Sequence, residues 1–290
     1  MPAAARALFN RFTWPWLLTH LIVFGPAALL LIFRFHEAAI DMDALPERDV
    51  LHAMHIDAFQ LLAWGVAFCL LGRLGPLRQP NAVDIASAIM VCSIGAISSA
   101  AGLATLSLFL TITSSGDVRR LAAATVFAAL FVQQAIIPIL YDLLVPTLAH
   151  LDAMLVGSVV ELTINGSTWQ GNTISVPGDH AIEVVAGCCS FRNVSLAALC
   201  WIALTKLERP EWQRLDIVVL IVAAGCQIAL NVVRIYFMAL SDNMYLYWHT
   251  GMGAHIFAIV ASVGAVLISA FGARFVSLHS VNGPLAAASA

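Results

Sequence analysis

The chain has 290 residues, 61% of them hydrophobic and 11% charged, with a formal net charge of −3; its mean hydropathy is +0.89. A soluble globular domain is about a quarter charged, so the composition excludes a soluble enzyme. No basic surface points to a nucleic-acid partner. The pattern is that of a polytopic membrane protein.

The first apolar run, Trp14–Phe33, is too long for the apolar core of a cleavable signal and reads as a membrane anchor. Arg6 and Arg11 precede it and put the N-terminus inside. The loop from Arg34 to Ile56 carries Glu37, Asp41, Asp43, Glu47 and Asp49 and fits the outside. His52, His55 and Asp57 have metal-ligating side chains but lack the spacing of a structural zinc site. No metal and no cofactor are expected.

Asp57–Leu71 is the next span, and Arg73 and Arg78 return the chain to the inside. Asp84–Thr113 is long for one span and short for two, at about 20 residues each. Arg119 and Arg120 also belong inside, so this stretch crosses twice or re-enters as a hairpin. Its turn is expected at the small residues Ser98, Ser99 and Gly102. Leu121–Val145 is the following span.

Val159–Ile164 (VVELTI) alternates in the strand period. Asn165-Gly166 is a two-residue hairpin signal, with Ser167–Gln170 able to pair back and Thr173–Val176 following Gly171-Asn172. Three apolar runs close the chain: Ala181–Leu204, Leu215–Leu240 and Tyr245–Phe271. Lys206, Arg209 and Arg214 lie inside between the first two, and Arg274 follows the last.

The expected fold is an all-α polytopic membrane protein with about eight transmembrane helices and a small extracytoplasmic β-hairpin element. Residues 1–150 would hold about five N-terminal spans. Residues 151–180 would form the β-element, 181–275 a core of three spans, and 276–290 a flexible tail.

This topology sets Cys188, Arg234 and His249 at the outer ends of those last spans. Counted along the helices, they lie about 10, 9 and 6 Å below the surface. A single cysteine in an apolar run is ordinarily a small buried hydrophobe, and His249 beside Tyr245, Tyr247 and Trp248 suits an interfacial belt. An arginine inside an apolar span costs several kcal/mol unless it snorkels or pairs. Together at one depth, the three make a thiol acyl-transfer set. The thiolate attacks, histidine moves protons, and arginine, always charged, steadies an oxyanion.

The runs around these residues resemble the exosortase/archaeosortase family of membrane-embedded cysteine transpeptidases. Ile182, Glu183, Val184, Cys188, Phe191 and Arg192 fit the family's nucleophile motif, and Gly171–Pro177 fits the strand before it. Asn231 and Arg234 fit Asn-x-x-Arg-Ile; His249, Gly253 and Phe257 fit His-x-x-x-Gly-x-x-x-Phe. The likeness is strong over residues 155–260. In the family motif a serine and a glycine follow the nucleophile; here they are Cys189 and Ser190, and Ala186 replaces a frequent acidic residue. Matching on Cys-Ser alone selects Cys189 as nucleophile, whereas the longer register through Glu183 and Arg192 selects Cys188.

The resemblance implies catalytic roles for Cys188, Arg234 and His249, with Cys189, Arg192, Glu183 and Asn231 as substrate-binding or auxiliary residues. It implies a multi-pass protein of the cell inner membrane with its site facing the periplasm, linked to exopolysaccharide export. Its partners would be the lipid bilayer and the C-terminal sorting signal of exported proteins: a short motif such as Pro-Glu-Pro, a transmembrane helix and a basic tail. The acceptor nucleophile is unknown. The alternative is a non-enzymatic membrane transporter or an assembly subunit of a polysaccharide export system, which would tolerate loss of the Cys188 thiol.

Overall fold

The computed structural model describes residues 14–43, 57–73, 82–114, 116–178 and 180–281. His52 and His55 lie outside the described residues, as do Arg6, Arg11, Arg78 and the tail from Asn282. The chain forms two compact units, residues 1–135 with 202–211 and residues 136–201 with 212–290.

In the first unit, α1 (Trp14–Asp43), α2 (Ala58–Gly72), α3 (Ala82–Ile97), α4 (Ser99–Ile112) and α5 (Val118–Phe131) pack on one another. The stretch expected to turn near Ser98 does so. Ser98 alone separates α3 from α4, in extended backbone, and its Oγ accepts from Ala101 N at 3.3 Å. Hydroxyl caps of this kind satisfy amides that the first helical turn leaves unpaired. A Cβ added to Gly102 would lie 2.8 Å from Gly95 Cα, so the two glycines let α3 and α4 close on each other.

Residues 34–43, expected in an outer loop, continue α1. This lets Glu37 reach α4, where it accepts from Ser99 N (2.8 Å) and Ser99 Oγ. A carboxylate at a helix N-terminus is favourable. Trp64 of α2 meets Phe127 of α5 edge to face, with centroids 5.7 Å apart.

In the second unit, α6 (Ile137–Thr163) continues α5 through a π-turn at Val132–Ile136. An antiparallel sheet follows: β1 (Thr168–Gln170), β2 (Thr173–Val176) and β3 (His180–Glu183), in the order β1-β2-β3. A 3-10 turn (Ala186–Cys188) leads into α7 (Phe191–Glu208), whose residues from Ile202 on belong to the first unit; α8 (Asp216–Ala239), α9 (Asp242–His249) and α10 (Met252–Val281) follow.

The small β-element is therefore present, with different bounds. Val159–Thr163 are the last turn of α6, not a strand. Ala149, Ala153, Val156 and Val160 are among its buried residues, and they recur at the helical period. The third strand is instead His180–Glu183, within a segment expected to be helical. Ile182 and Val184 point inward and Glu183 outward, the alternation of a half-buried strand. Ile174 of β2 pairs with Ile182 in register. These side chains, with Val176, pack into a core with Cys188, Cys189, Ile235 and Met238.

Among the described residues, three helical runs are long and apolar enough to cross a membrane: Val118–Thr163, Asp216–Ala239 and Met252–His279. Ala58–Gly72, Ala82–Ile97 and Ser99–Ile112 are shorter apolar helices. The chain is a multi-pass membrane protein, mostly helical, with one small sheet.

Candidate active site

All three residues of the expected acyl-transfer set lie in the second unit, on three different elements. Cys188 ends the 3-10 turn before α7 rather than lying seven residues inside a helix. Arg234 is on α8, close to its end at Ala239, as expected. His249 ends the short helix α9 instead of lying inside a span. The helix expected over Tyr245–Phe271 breaks at Thr250 and Gly251, whose amides both return to Leu246 O. Ser241 caps the other end of α9, accepting from Met244 N at 3.3 Å.

The main chain on both sides of Cys188 is tied to neighbouring helices. Asn231 of α8, 1% exposed, donates from Nδ2 to Cys188 O at 2.8 Å. Tyr141 of α6 donates its hydroxyl to Ala186 O and stacks on Phe191. Ser190 donates from N (2.7 Å) and Oγ (2.9 Å) to the carboxylate of Asp152, also on α6. His180, at the start of β3, contacts Asp242 Oδ1 (2.7 Å) and Met238 O (3.1 Å), which ties the sheet to the corner between α8 and α9.

Arg234 reaches towards His249. Its Nε donates to Trp248 O at 3.1 Å, and its guanidinium carbon lies 4.9 Å from the Phe257 ring centroid. No acceptor among the described residues takes a hydrogen bond from its Nη groups. His249 stacks on Tyr245 with centroids 4.9 Å apart, and its Nδ1 is shielded from solvent without a hydrogen-bond partner among the described residues. Gly253 is required here. A Cβ on it would come within 2.7 Å of the Tyr247 ring and 2.9 Å of the Trp248 ring.

Cys188 and His249 stand outside the three long apolar helices, and their surroundings set their charge states. Burial pushes the Cys188 thiol above its ordinary value; a backbone contact at Val185 and the Arg234 charge oppose the rise, and the Asp152 carboxylate adds to it. Burial, then the Arg234 charge, lowers His249. At neutral pH Cys188 is therefore a thiol and His249 a neutral imidazole. Cys189 is pushed to about 11 by burial, Asp152 and Cys188. Its Sγ points back to Val185 O at 3.7 Å.

The auxiliary residues divide. Asn231 is at the site and Cys189 adjoins it. Arg192, on the first turn of α7, is exposed, and its charge reaches Tyr141. Glu183 is exposed at the end of β3, on the face away from the core, and is not brought to Cys188. Tyr141 and Asp152 were not anticipated. The signal for Asp152 was an acidic residue at a position of α6 between the inward-facing Ala149 and Val156. No group of three or more His, Cys, Asp or Glu suited to a metal ion occurs among the described residues.

Residues 15–266 match the family model of the transmembrane exosortases (Exosortase_EpsH). The chain belongs to the transmembrane exosortase family. The match spans both units and contains every residue of the candidate site. No curated protein and no solved structure matches it.

Proposed function

We propose that this exosortase-family protein is a membrane cysteine transpeptidase that cleaves a C-terminal sorting signal through a thioester on Cys188. The observation that carries the reading is the position of Arg234. One guanidinium is bonded to the main chain beside His249 and acts electrostatically on the Cys188 thiol.

Cys188 Sγ attacks the scissile carbonyl carbon as His249 takes the thiol proton. The carbonyl electron pair moves onto oxygen, and the free Nη donors of Arg234 hold this oxyanion. Collapse breaks the C–N bond, and His249 returns the proton to the leaving amine. An acceptor amine or water then attacks the thioester and gives its proton to His249, which passes it to the departing sulfur and restores the Cys188 thiol. Asn231 holds the Cys188 carbonyl, so the nucleophile turn keeps its place through both steps.

The substrate is an exported protein ending in a short motif, an apolar helix and a basic tail. Its helix lies in the bilayer, and its basic tail remains inside, as basic flanks do. The topology that suits this has about eight spans in the inner membrane, with the site at the periplasmic face. An exopolysaccharide-linked export system is the setting the family implies.

Co-expression with such a substrate tests the reading. Cys188→Ala should abolish processing, while Cys189→Ala should leave at least partial processing. Full processing by Cys188→Ala would favour the non-enzymatic alternative, a transporter or assembly subunit. Loss confined to Cys189→Ala would move the nucleophile by one residue.

A further inference from the structure

The Asp152 carboxylate is 3% exposed, and its only partner among the described residues is Ser190, which binds it through both N and Oγ. No cation among the described residues neutralises it there. A buried carboxylate without a cation is costly even when hydrogen-bonded. Ser190 is the residue just before α7, so the anion also sits at the positive end of an 18-residue helix. Capping alone would be met by the Ser190 hydroxyl or by water, without burying a charge.

The turn bearing Cys188 is thus fastened on both sides from α6. Tyr141 holds Ala186, two residues before the thiol, and Asp152 holds Ser190, two residues after it. Asn231 of α8 holds the Cys188 carbonyl between them. We infer that Asp152 is a positioning residue for Cys188, fixing the nucleophile turn through Ser190 and setting a negative charge beside that turn. Through the first action it aims the thiol. Through the second it keeps the thiol protonated at rest, so that thiolate forms only as His249 takes the proton. The inference rests on the reading of Cys188 as nucleophile.

The charges that act on the Cys188 thiol are those of Asp152 on α6 and Arg234 on α8. The other titratable groups on the elements around it include Tyr141, Asp142 and His150 of α6, His180 and Glu183 of β3, Arg192 of α7, Tyr236 of α8, Tyr245 and His249 of α9, and the adjacent Cys189. Of the two charges that act on the thiol, that of Asp152 can be removed with the side chain's shape kept.

The test uses the full chain in detergent with Cys189→Ser as background. Cys188 is modified by a small neutral methanethiosulfonate across a pH series, and the modified peptide is quantified by mass spectrometry. Asp152→Asn keeps an acceptor for Ser190 N and removes the charge. Its reaction midpoint should move down by about half a pH unit or more, as when a nearby like charge is removed. Asp152→Ala removes both actions. Per molecule of accumulated protein, it should process substrate at least about tenfold more slowly, the cost of a misplaced catalytic group. Ser190→Ala leaves the charge, so its midpoint should stay with the background protein.

An unmoved midpoint in Asp152→Asn would overturn the inference, as would background-level processing per molecule in Asp152→Ala. A cap with a structural role alone would lower accumulation and leave both readouts unchanged. The modification assay needs no substrate. If Cys188→Ala proved dispensable for processing, the functional reading would fail while the midpoint still judged Asp152.

Discussion

Replacing Arg234 by lysine separates a charge from a shaped donor. The arginine lies inside α8, an apolar helix long enough to cross the membrane. Its Nε is committed to Trp248 O at 3.1 Å, its plane lies over Phe257, and its Nη groups face no protein acceptor among the described residues. Lysine keeps the charge, and with it the insertion cost and part of the cation–π contact, worth about 0.5–2 kcal/mol. It cannot bond Trp248 O and present two further coplanar donors. A charge-assisted hydrogen bond is worth about 1.5–3 kcal/mol, and loss of one oxyanion donor costs about 10²–10³ in rate. The lysine variant should therefore accumulate in membranes near the wild-type level. Its processing of a co-expressed substrate should be slower by about two orders of magnitude. The assay is a time course of the uncleaved and cleaved forms by immunoblot, normalised to variant protein. Processing within about threefold of wild type would refute the reasoning. Arg234 would then be an interfacial anchor, for which any cation serves.

Two further outcomes follow from the same geometry. Asn243 is exposed one residue into α9, beside the cap at Ser241; a cysteine placed there should react with a membrane-impermeant thiol reagent in intact spheroplasts. Labelling only after membrane disruption would invert the topology. Burial and Arg234 hold His249 below its ordinary 6.5, so the imidazole stays neutral until the pH falls past that lowered value. The acid limb of the processing rate should accordingly have its midpoint below pH 6.5, and a midpoint above it would remove His249 as the base.

The parts of the fold legible in the sequence were those with a local cause. Ser98 ended a helix because its hydroxyl caps the next one, and small residues there let α3 and α4 close up. Gly171, with φ of 60°, marked a real turn between β1 and β2. Short segments whose two periodicities coincide were not legible in this way. Val159–Thr163 alternates like a strand, yet Val156 and Val160 extend a helical face begun at Ala149. Ile182 and Val184 are buried at strand spacing, but the apolar run Ala181–Leu204 favoured a helix. Gly251 and Thr250 ended α9 through amides returning to Leu246 O, a closure visible only in three dimensions.

At the site, the pattern gave the chemical types but not their supports. Arg234 stood out because a cation in an apolar helix demands a reason. Asp152 raised the same demand, one carboxylate in the run LDAMLV, but its partner Ser190 is 38 residues away. Nothing in local spacing joins them. The same holds for Tyr141 and Ala186, which are 45 residues apart.

The central claim is a covalent bond at Cys188, and an acid-quenched acyl-enzyme tests it most directly. Wild-type protein purified from cells making a substrate, quenched in acid and mapped by mass spectrometry, should carry the substrate fragment as an adduct on the Cys188 Sγ. Neutral hydroxylamine should release it, as expected for a thioester. The same adduct on Cys189, or active processing with both thiols unmodified at every quench time, would contradict the account.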